Sequence, residues 1–492
     1  MREAFFGFDL GTSSSKAILV DTSGNIIATA STQHSVSRGP GGLVEMDMNI
    51  WWQEFKTLYS ALLTQHPVDI AGIGVSGMGP CLGVSTLAGE PLAPAALYGI
   101  DRRALQEIDQ LTERYGQQHL LETYDSVLTS QAGGPKLAWF RKRYQQEFKK
   151  GVRFFMPHSW ILWHLSGQYV LDKHSASQLT PLYNPESTNW DQQMLTDIGG
   201  SQLLAPTLGW SQQIFGQTRP CPDLPELKAG IPLIFGTIDA WAEQESVGAI
   251  AEGQLFLMYG TTLFLVANTS KRLRHPSMWG TTGTRQGSRN LAGGLATSGA
   301  LTDWFRSISG VEDFEQLVKQ AQEVAPGSQG LLALPYFAGE RTPIQDPKAR
   351  GILAGLTLDH GQGHIYRALL ESTAFAVRHN IETMEEAGAR IEGITCAGGG
   401  TKSKLWPQII SDVTGREQTV RRHSIGACLG DAFMVAQTLG RVKTLDDWNP
   451  VDHQVQPRQL PIYDQLYANF RELYEATAGI QHRLTDLANG AG

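Results

Sequence analysis

Apolar and polar residues along the first thirty positions follow the rhythm of a meander. AFFGFDL, SKAILVD and NIIATASTQ each read as a strand, and DTSGN between the last two is a turn in which Gly24 is free to take a positive φ. A helix rich in Trp and Phe follows over 50–65, then the strand-like DIAGIGVSG and a further hairpin, CLGVSTLAGEPLA. Some 250 residues after the start the opening pattern returns as EGQLFLMYGTTLFLVANTS, again strand, Gly-Thr-Thr, strand. GTIDAWAEQESVGAIAEGQ just before it begins helix-like, so the domain junction is expected near 245–250, dividing 1–247 from 248–492. Segment 301–380 alternates helix, loop and helix, and 365–384 is long and periodic. ITCAGGGTKSKLWPQIISDVTG reads as a strand, a glycine cluster and an amphipathic helix with Leu405, Ile409, Ile410 and Val413 on one face.

Two domains that each open on a β-hairpin and aim glycine turns at a common cleft predict an α/β fold of two duplicated actin-like (ribonuclease H-like) domains. The bulk numbers agree with that size. A chain of 492 residues is too long for one core, so two or three domains are expected. A net charge of -8, with no basic run, excludes a non-specific nucleic-acid binder. No stretch of 18 apolar residues exists, so no membrane span is predicted, and MREAFFGFDLG reads as a strand start rather than a signal peptide. The four cysteines form no CxxC pair and read as reduced thiols of a cytoplasmic protein. The histidines include no HExxH, so no zinc site is indicated.

Two glycine motifs invite misreading. Gly72-Ile-Gly74-Val-Ser-Gly77 matches GxGxxG, but a dinucleotide site needs a helix to start there, and Gly79-Pro80 and a hairpin follow instead. A strand packed closely against a neighbour is the better account. Gly398-Gly399-Gly400-Thr401-Lys402-Ser403 lacks the P-loop glycine spacing. Three glycines ahead of a helix nevertheless let backbone N–H groups approach a nucleotide.

The chemistry-bearing stretch is GFDLGTSSSKAILVD. Asp9 ends an apolar strand, where an unpaired charge is costly. Mg²⁺, which prefers one or two carboxylates together with waters and phosphates, removes that cost. Thr12 to Ser15 then offer hydroxyl and N–H groups to phosphoryl oxygens, and Lys16 neutralises the transferred charge. A phosphoryl transfer also needs a group that deprotonates the acceptor. Asp239, in FGTIDAW, stands after an apolar strand at the base of a helix. From spacing alone, capping that helix and acting as the base are equally good readings.

These blocks resemble one family from end to end. DLGTSSSKAILVD, GGLVEMDMNIWW, LYGIDRRA, FGTIDAWAE, MYGTTLFLV, LPYFAGERTPIQDPKARGILAGL and CAGGGTKSKLWPQIISDVTG stand in the order of the FGGY carbohydrate kinases. The resemblance implies ATP and Mg²⁺ as cofactors and a small sugar or polyol as the partner, and it leaves a homodimer open. It implies Asp9 as the acid that works with Mg²⁺, and Thr12, Ser13 and Lys16 as the first phosphate loop. Gly260 and Thr261 match the second phosphate loop. Gly299, Gly399, Gly400 and Ser403 match positions lining the nucleotide, with Asp303 nearby. Asp239 matches the general base, which breaks the tie above. The sugar pocket is expected between Met78-Gly79, Asp101-Arg102 and Asp239.

Departures from the family bear on the substrate. Xylulose kinases carry Gln-Met-His where this chain reads Gly77-Met78-Gly79-Pro80, and the Arg-Glu pair of glycerol kinases is also missing. Arg102-Arg103 either reaches a charged substrate or is a solvated helix start, and Glu45 either touches substrate or orders its loop. Two rivals differ in class. An actin-like ATPase, whose nucleotide state drives shape change, needs neither Asp239 nor a polar pocket. A sugar sensor without turnover has no use for both Asp9 and Asp239.

Overall fold

The computed structural model describes residues 2–490. Strands β1 (Glu3–Leu10), β2 (Ser14–Asp21) and β3 (Ile26–Gln33) form the expected antiparallel meander, and Gly24 turns it at φ +82°. Helix α1 (Met48–Gln65) starts where Asp47 accepts the Asn49 N–H, and buries Trp51, Phe55, Leu58 and Tyr59. Phe55 lies edge-on to Phe6 and Phe8 of β1, so the aromatic stripe of the helix is core. β4 (Asp69–Gly77) then runs parallel to β1.

A long excursion over 78–213 follows. Its stretch 81–93 makes the tight turn anticipated there, with Thr86 N–H donating to Glu90 O over 2.9 Å. The main ladder of Gly83–Thr86 is nevertheless with the distant Val152–Phe155, a pairing that no local pattern reveals. The excursion also carries the short helix α2 (Lys173–Ser177). β5 (Ile214–Gln217), β6 (Pro232–Ile234) and β7 (Thr237–Ile238) return to the sheet, whose order is β5-β6-β4-β1-β2-β3, with β7 also paired to β4. Helix α3 (Asp239–Ser246) leaves directly from β7.

A second seven-stranded sheet is built from β8 (Gln254–Tyr259), β9 (Leu263–Thr269), β10 (Trp279–Thr282), β11 (Arg289–Leu295), β12 (Gly393–Gly398), β13 (Gln418–Arg421) and β14 (Val451–Val455). Its order is β10-β11-β9-β8-β12-β13-β14. Apart from the edge strand β10, this repeats the first sheet. An antiparallel triplet is followed by two parallel strands and one antiparallel strand in both. Helices α4 (Gly299–Ser309), α5 (Gln362–Glu386), α6 (Leu405–Thr414) and α8 (Ile462–Gly490) accompany the second sheet, and the long periodic stretch falls inside α5.

Helix α7 (Ala427–Thr438) belongs by sequence to the second half but packs on β1, β4 and α3. A Cβ at Gly7 or Gly74 would collide with the carbonyls of Cys428 or Asp431, and one at Gly72 with the Val435 side chain. The GxGxxG stretch is therefore a strand that lets a helix backbone lie directly on it.

Candidate active site

Because β1, β4 and β7 run parallel, their carboxyl ends share one edge, the usual place for a ligand in such sheets. Asp9 pairs across the ladder with Lys16 on one side and Ser76 on the other, while Thr237 pairs with Ser76 one strand further on. Asp239 is thereby delivered to the same edge. It is the first residue of α3 rather than its cap; Ile238 holds that position, and the Asp239 carboxylate accepts the Ala240 N–H at 2.8 Å.

Glu243, one helical turn beyond Asp239, joins the group. Burial and then the Asp239 charge push the Asp9 carboxyl far above the ordinary range, with Lys16 pulling the other way. Burial also raises Asp239, against the Ala240 N–H and the charge of His158. Glu243 is raised to about 7 by burial and by Asp239. Behind them Ser76 donates to Asp431 of α7 at 2.6 Å and stands 3.4 Å from Asp9. Asp431 is fully buried and raised well above the ordinary value, and its Oδ1 has no protein partner. Four acids thus crowd one edge, with Lys16 beside Asp9 and Glu243, an arrangement that calls for added positive charge.

A cavity of about 170 Å³ opens beside Asp239. Thr12, Met78, Gly79 and Tyr98 line it from one side, and Trp279, Phe264 and Arg341 from the other. The Thr12 hydroxyl and the Tyr98 phenol are 3.1 Å apart. A Cβ at Gly79 would strike the Ile238 side chain at 2.6 Å, so no side chain reaches the cavity from position 79. The second cleft, about 1170 Å³, is bordered by Lys16 and Glu243 on one face and by Gly260, Gly399, Lys402 and Ser403 on the other. Met258 lines both, so the two spaces meet at the carboxylates. Tyr259 pairs with Gly398, which sets the glycine cluster beside the second hairpin. Nothing in the protein stands within 4 Å of a Cβ built on Gly399.

Other anticipated residues lie elsewhere. Asp101 does not line the cavity beside Asp239: it is buried, accepts the Val44 N–H at 2.7 Å and pairs with Arg103 at 2.8 Å. Arg103 also reaches Glu45, so both acids order their loop, while Arg102 is exposed. The arginine that does line the cavity is Arg341, within the quoted GERTP block but given no role from sequence. Ser13 and Thr261 are exposed and line neither space. Gly299 donates its N–H to Gly260 O at 3.0 Å, and a side chain there would crowd that carbonyl, so it locks the hairpin to α4. Gly400 packs on Tyr259 and Trp406. Asp303 is exposed and pairs with Arg306 at 3.5 Å. Glu243 was within reach of sequence reading, since i and i+4 share a helix face. Gln131 and Gln178, which also line the sugar cavity, carry no such signal.

Two halves that repeat one topology, with a carboxylate cluster where they meet, fit a phosphotransferase, and sequence comparison decides the family. The FGGY family of carbohydrate kinases, N-terminal domain, matches residues 4–243, and its C-terminal domain matches residues 255–438. The chain belongs to the FGGY family of carbohydrate kinases. As such it is a phosphotransferase with a sugar-type hydroxyl as acceptor, and its two bodies have the actin-like fold. The xylulose kinase of Escherichia coli (strain K12) is 25% identical over 480 residues, spanning 96% of this chain and 98% of its own length. The glycerol kinase of Brevibacillus brevis is 27% identical over 500 residues, with 96% and 98% covered. The crystal structure of xylulose kinase from Rhodospirillum rubrum superposes with TM-score 0.89 at 26% identity, covering 97% of this chain and 100% of that one. Among the described residues no helix is long and apolar enough to cross a membrane.

Proposed function

We propose that this FGGY kinase moves the terminal phosphoryl group of ATP onto a hydroxyl of a small sugar, ketose or polyol held beside Asp239. The observation that carries the reading is the meeting of Asp239, at the wall of the smaller cavity, with Glu243 and Lys16 at the border of the glycine-lined cleft and with Asp9, paired to Lys16 across the ladder. Asp239 takes the proton of the acceptor hydroxyl. Its place in the first turn of α3, against the Ala240 N–H, favours the ionised form that a base requires. Lys16 balances charge on the group in flight, and Thr12 and the Gly260 turn offer hydroxyl and N–H groups to phosphoryl oxygens. Gly399 and Ser403 border the nucleotide.

Mg²⁺ fits the donor set, because Asp9, Asp239 and Glu243 crowd one edge and their mutual repulsion and burial raise Asp9 and Glu243 against the pull of Lys16. Asp9 would hold it, and when bound it supplies charge compensation for the phosphates. We put the division between the bodies at 247–248, where α3 ends and Gly248 takes φ +71°. Thr12 and Tyr98 come from the first body, Trp279 and Arg341 from the second. Closure of the two walls therefore keeps water from the phosphoryl group. Relatives named xylulose kinase and glycerol kinase are about equally distant, and Ile238 blocks any side chain from position 79, so the reading is of a substrate class.

Coupled ADP release against ketoses, polyols and sugar acids tests it, with Asp239→Asn alongside. Sugar-dependent ADP that the variant loses supports the reading; ADP release indifferent to sugar and to the substitution refutes it.

A further inference from the structure

His174 is fully buried in α2, its ring against Trp241 with centroids 3.9 Å apart. Its Nδ1 lies 2.7 Å from the Thr282 carbonyl oxygen, which can only accept, so Nδ1 carries a hydrogen. Burial pushes the ring down to about 4, so it is neutral near pH 7 and Nε2 is a bare lone pair. The Gln178 amide nitrogen stands 2.9 Å from that Nε2 and must be the donor. The second half of the clamp is Ser177, whose hydroxyl donates to His174 O at 2.6 Å and accepts the Thr282 N–H at 3.1 Å. The orientation of Gln178 is thus fixed through a chain that begins at a backbone carbonyl.

We propose that Gln178 reads a hydroxyl hydrogen of the sugar, its amide oxygen turned toward the cavity by His174. Gln178 lines the cavity, and its Oε1 has no protein partner among the described residues. Thr281, which also lines the cavity, is 6% exposed and its hydroxyl has no partner among the described residues, so the cavity presents polar groups that only a ligand satisfies. Gln131 is set the opposite way: its Oε1 accepts the Gly99 N–H at 2.6 Å, leaving N–H groups as its free end. The cavity therefore offers an acceptor at Gln178 and donors at Gln131. That pair suits a polyhydroxylated chain with a free hydroxyl at one point and an oxygen acceptor at another. His174 is a positioning residue in this device. The inference rests on the kinase reading for its substrate class but not for its test.

The test is calorimetric binding of xylulose, glycerol and gluconate, and of monodeoxy forms of each, to the full chain. Gln178→Leu should weaken the preferred sugar by about tenfold to a hundredfold while leaving its cognate deoxy form nearly unchanged, so that the ratio between them collapses. His174→Gln should lower the same ratio with Gln178 intact and leave ATP affinity unaltered. A merely structural role would weaken sugar and deoxy form alike. Binding needs no turnover, so failure of Asp239 as base would show as ADP loss or retention without touching this result. An unchanged ratio in Gln178→Leu overturns the inference, as does the absence of binding by every sugar to the wild-type chain. Should His174→Gln fail to fold, the Gln178→Leu ratio decides alone.

Discussion

The two hairpins are copies in backbone and opposites in chemistry. In the first, Asp9 faces Lys16 across the ladder one pair before the turn; in the second, the matching pair is Met258 and Phe264. Both turns close by an N–H to a carbonyl at 3.0 Å, Gly11 to Ser14 and Gly260 to Thr262. The first copy concentrates charge at the junction of the two spaces. The second contributes an apolar wall to the cavity beside Asp239 and a glycine turn to the larger cleft. Duplication supplied a symmetric frame, and function was assigned by making the copies unequal.

The sharpest way to break this comparison is at the base. Asp239→Asn should lower kcat by about 10²–10⁴-fold with ATP affinity preserved, read by coupled ADP release and by nucleotide binding. Near wild-type turnover would remove Asp239 from the chemistry. Next in size is the contrast between copies. Asp9→Asn should shift the Mg²⁺ midpoint for activity by about tenfold or more, as loss of a metal-held group does. Met258→Leu, at the corresponding place in the second copy, is a volume-conserving change and should leave that midpoint alone. Equal shifts in both would mean that the asymmetry is not where the metal acts.

Legibility from sequence followed the reach of each interaction. The hairpins, α1, α3 and the glycine turn before α6 were readable because periodicity, turn residues and helix starts are local. That Asp9 and Asp239 come to one edge follows from strand ends that local pattern marks, while spacing alone left the role of Asp239 tied between helix cap and base. Asp101 misled because a carboxylate beside two arginines looks the same in sequence whether it faces a ligand or, as here, folds back onto Arg103 and the Val44 N–H. Asp431 was invisible, since only the docking of α7 on the first sheet brings it to Ser76. Gln178 depends on a carbonyl more than a hundred residues away, and no local pattern marks such a partner.

The glycine cluster sharpens the other side of the comparison. A Cβ on Gly399 meets no protein atom, so Gly399→Ala should leave the melting temperature unchanged. If the nucleotide lies against that backbone, the KM for ATP should rise several-fold with the sugar KM constant. An unaltered ATP KM would move the nucleotide off the cluster.

The smallest effect tests charge crowding in the first copy without catalysis. The ordinary carboxyl value for Glu243 is 4.5, and the folded protein raises it to about 7 by burial and by Asp239. A raised acid binds its proton more tightly when folded than when unfolded. Its contribution therefore favours folding at low pH and erodes as pH climbs from 4.5 through about 7. Glu243→Gln cannot lose that proton, so it should melt higher than wild type at pH 8 and match it near pH 4.5, in the absence of nucleotide. Adding Mg²⁺ alone supplies positive charge at this edge and should shrink the gap at pH 8. A gap of one size at both pH values would mean that Glu243 is not strained by its neighbours. The crowding at this edge would then be carried by Asp9 and Asp239 alone.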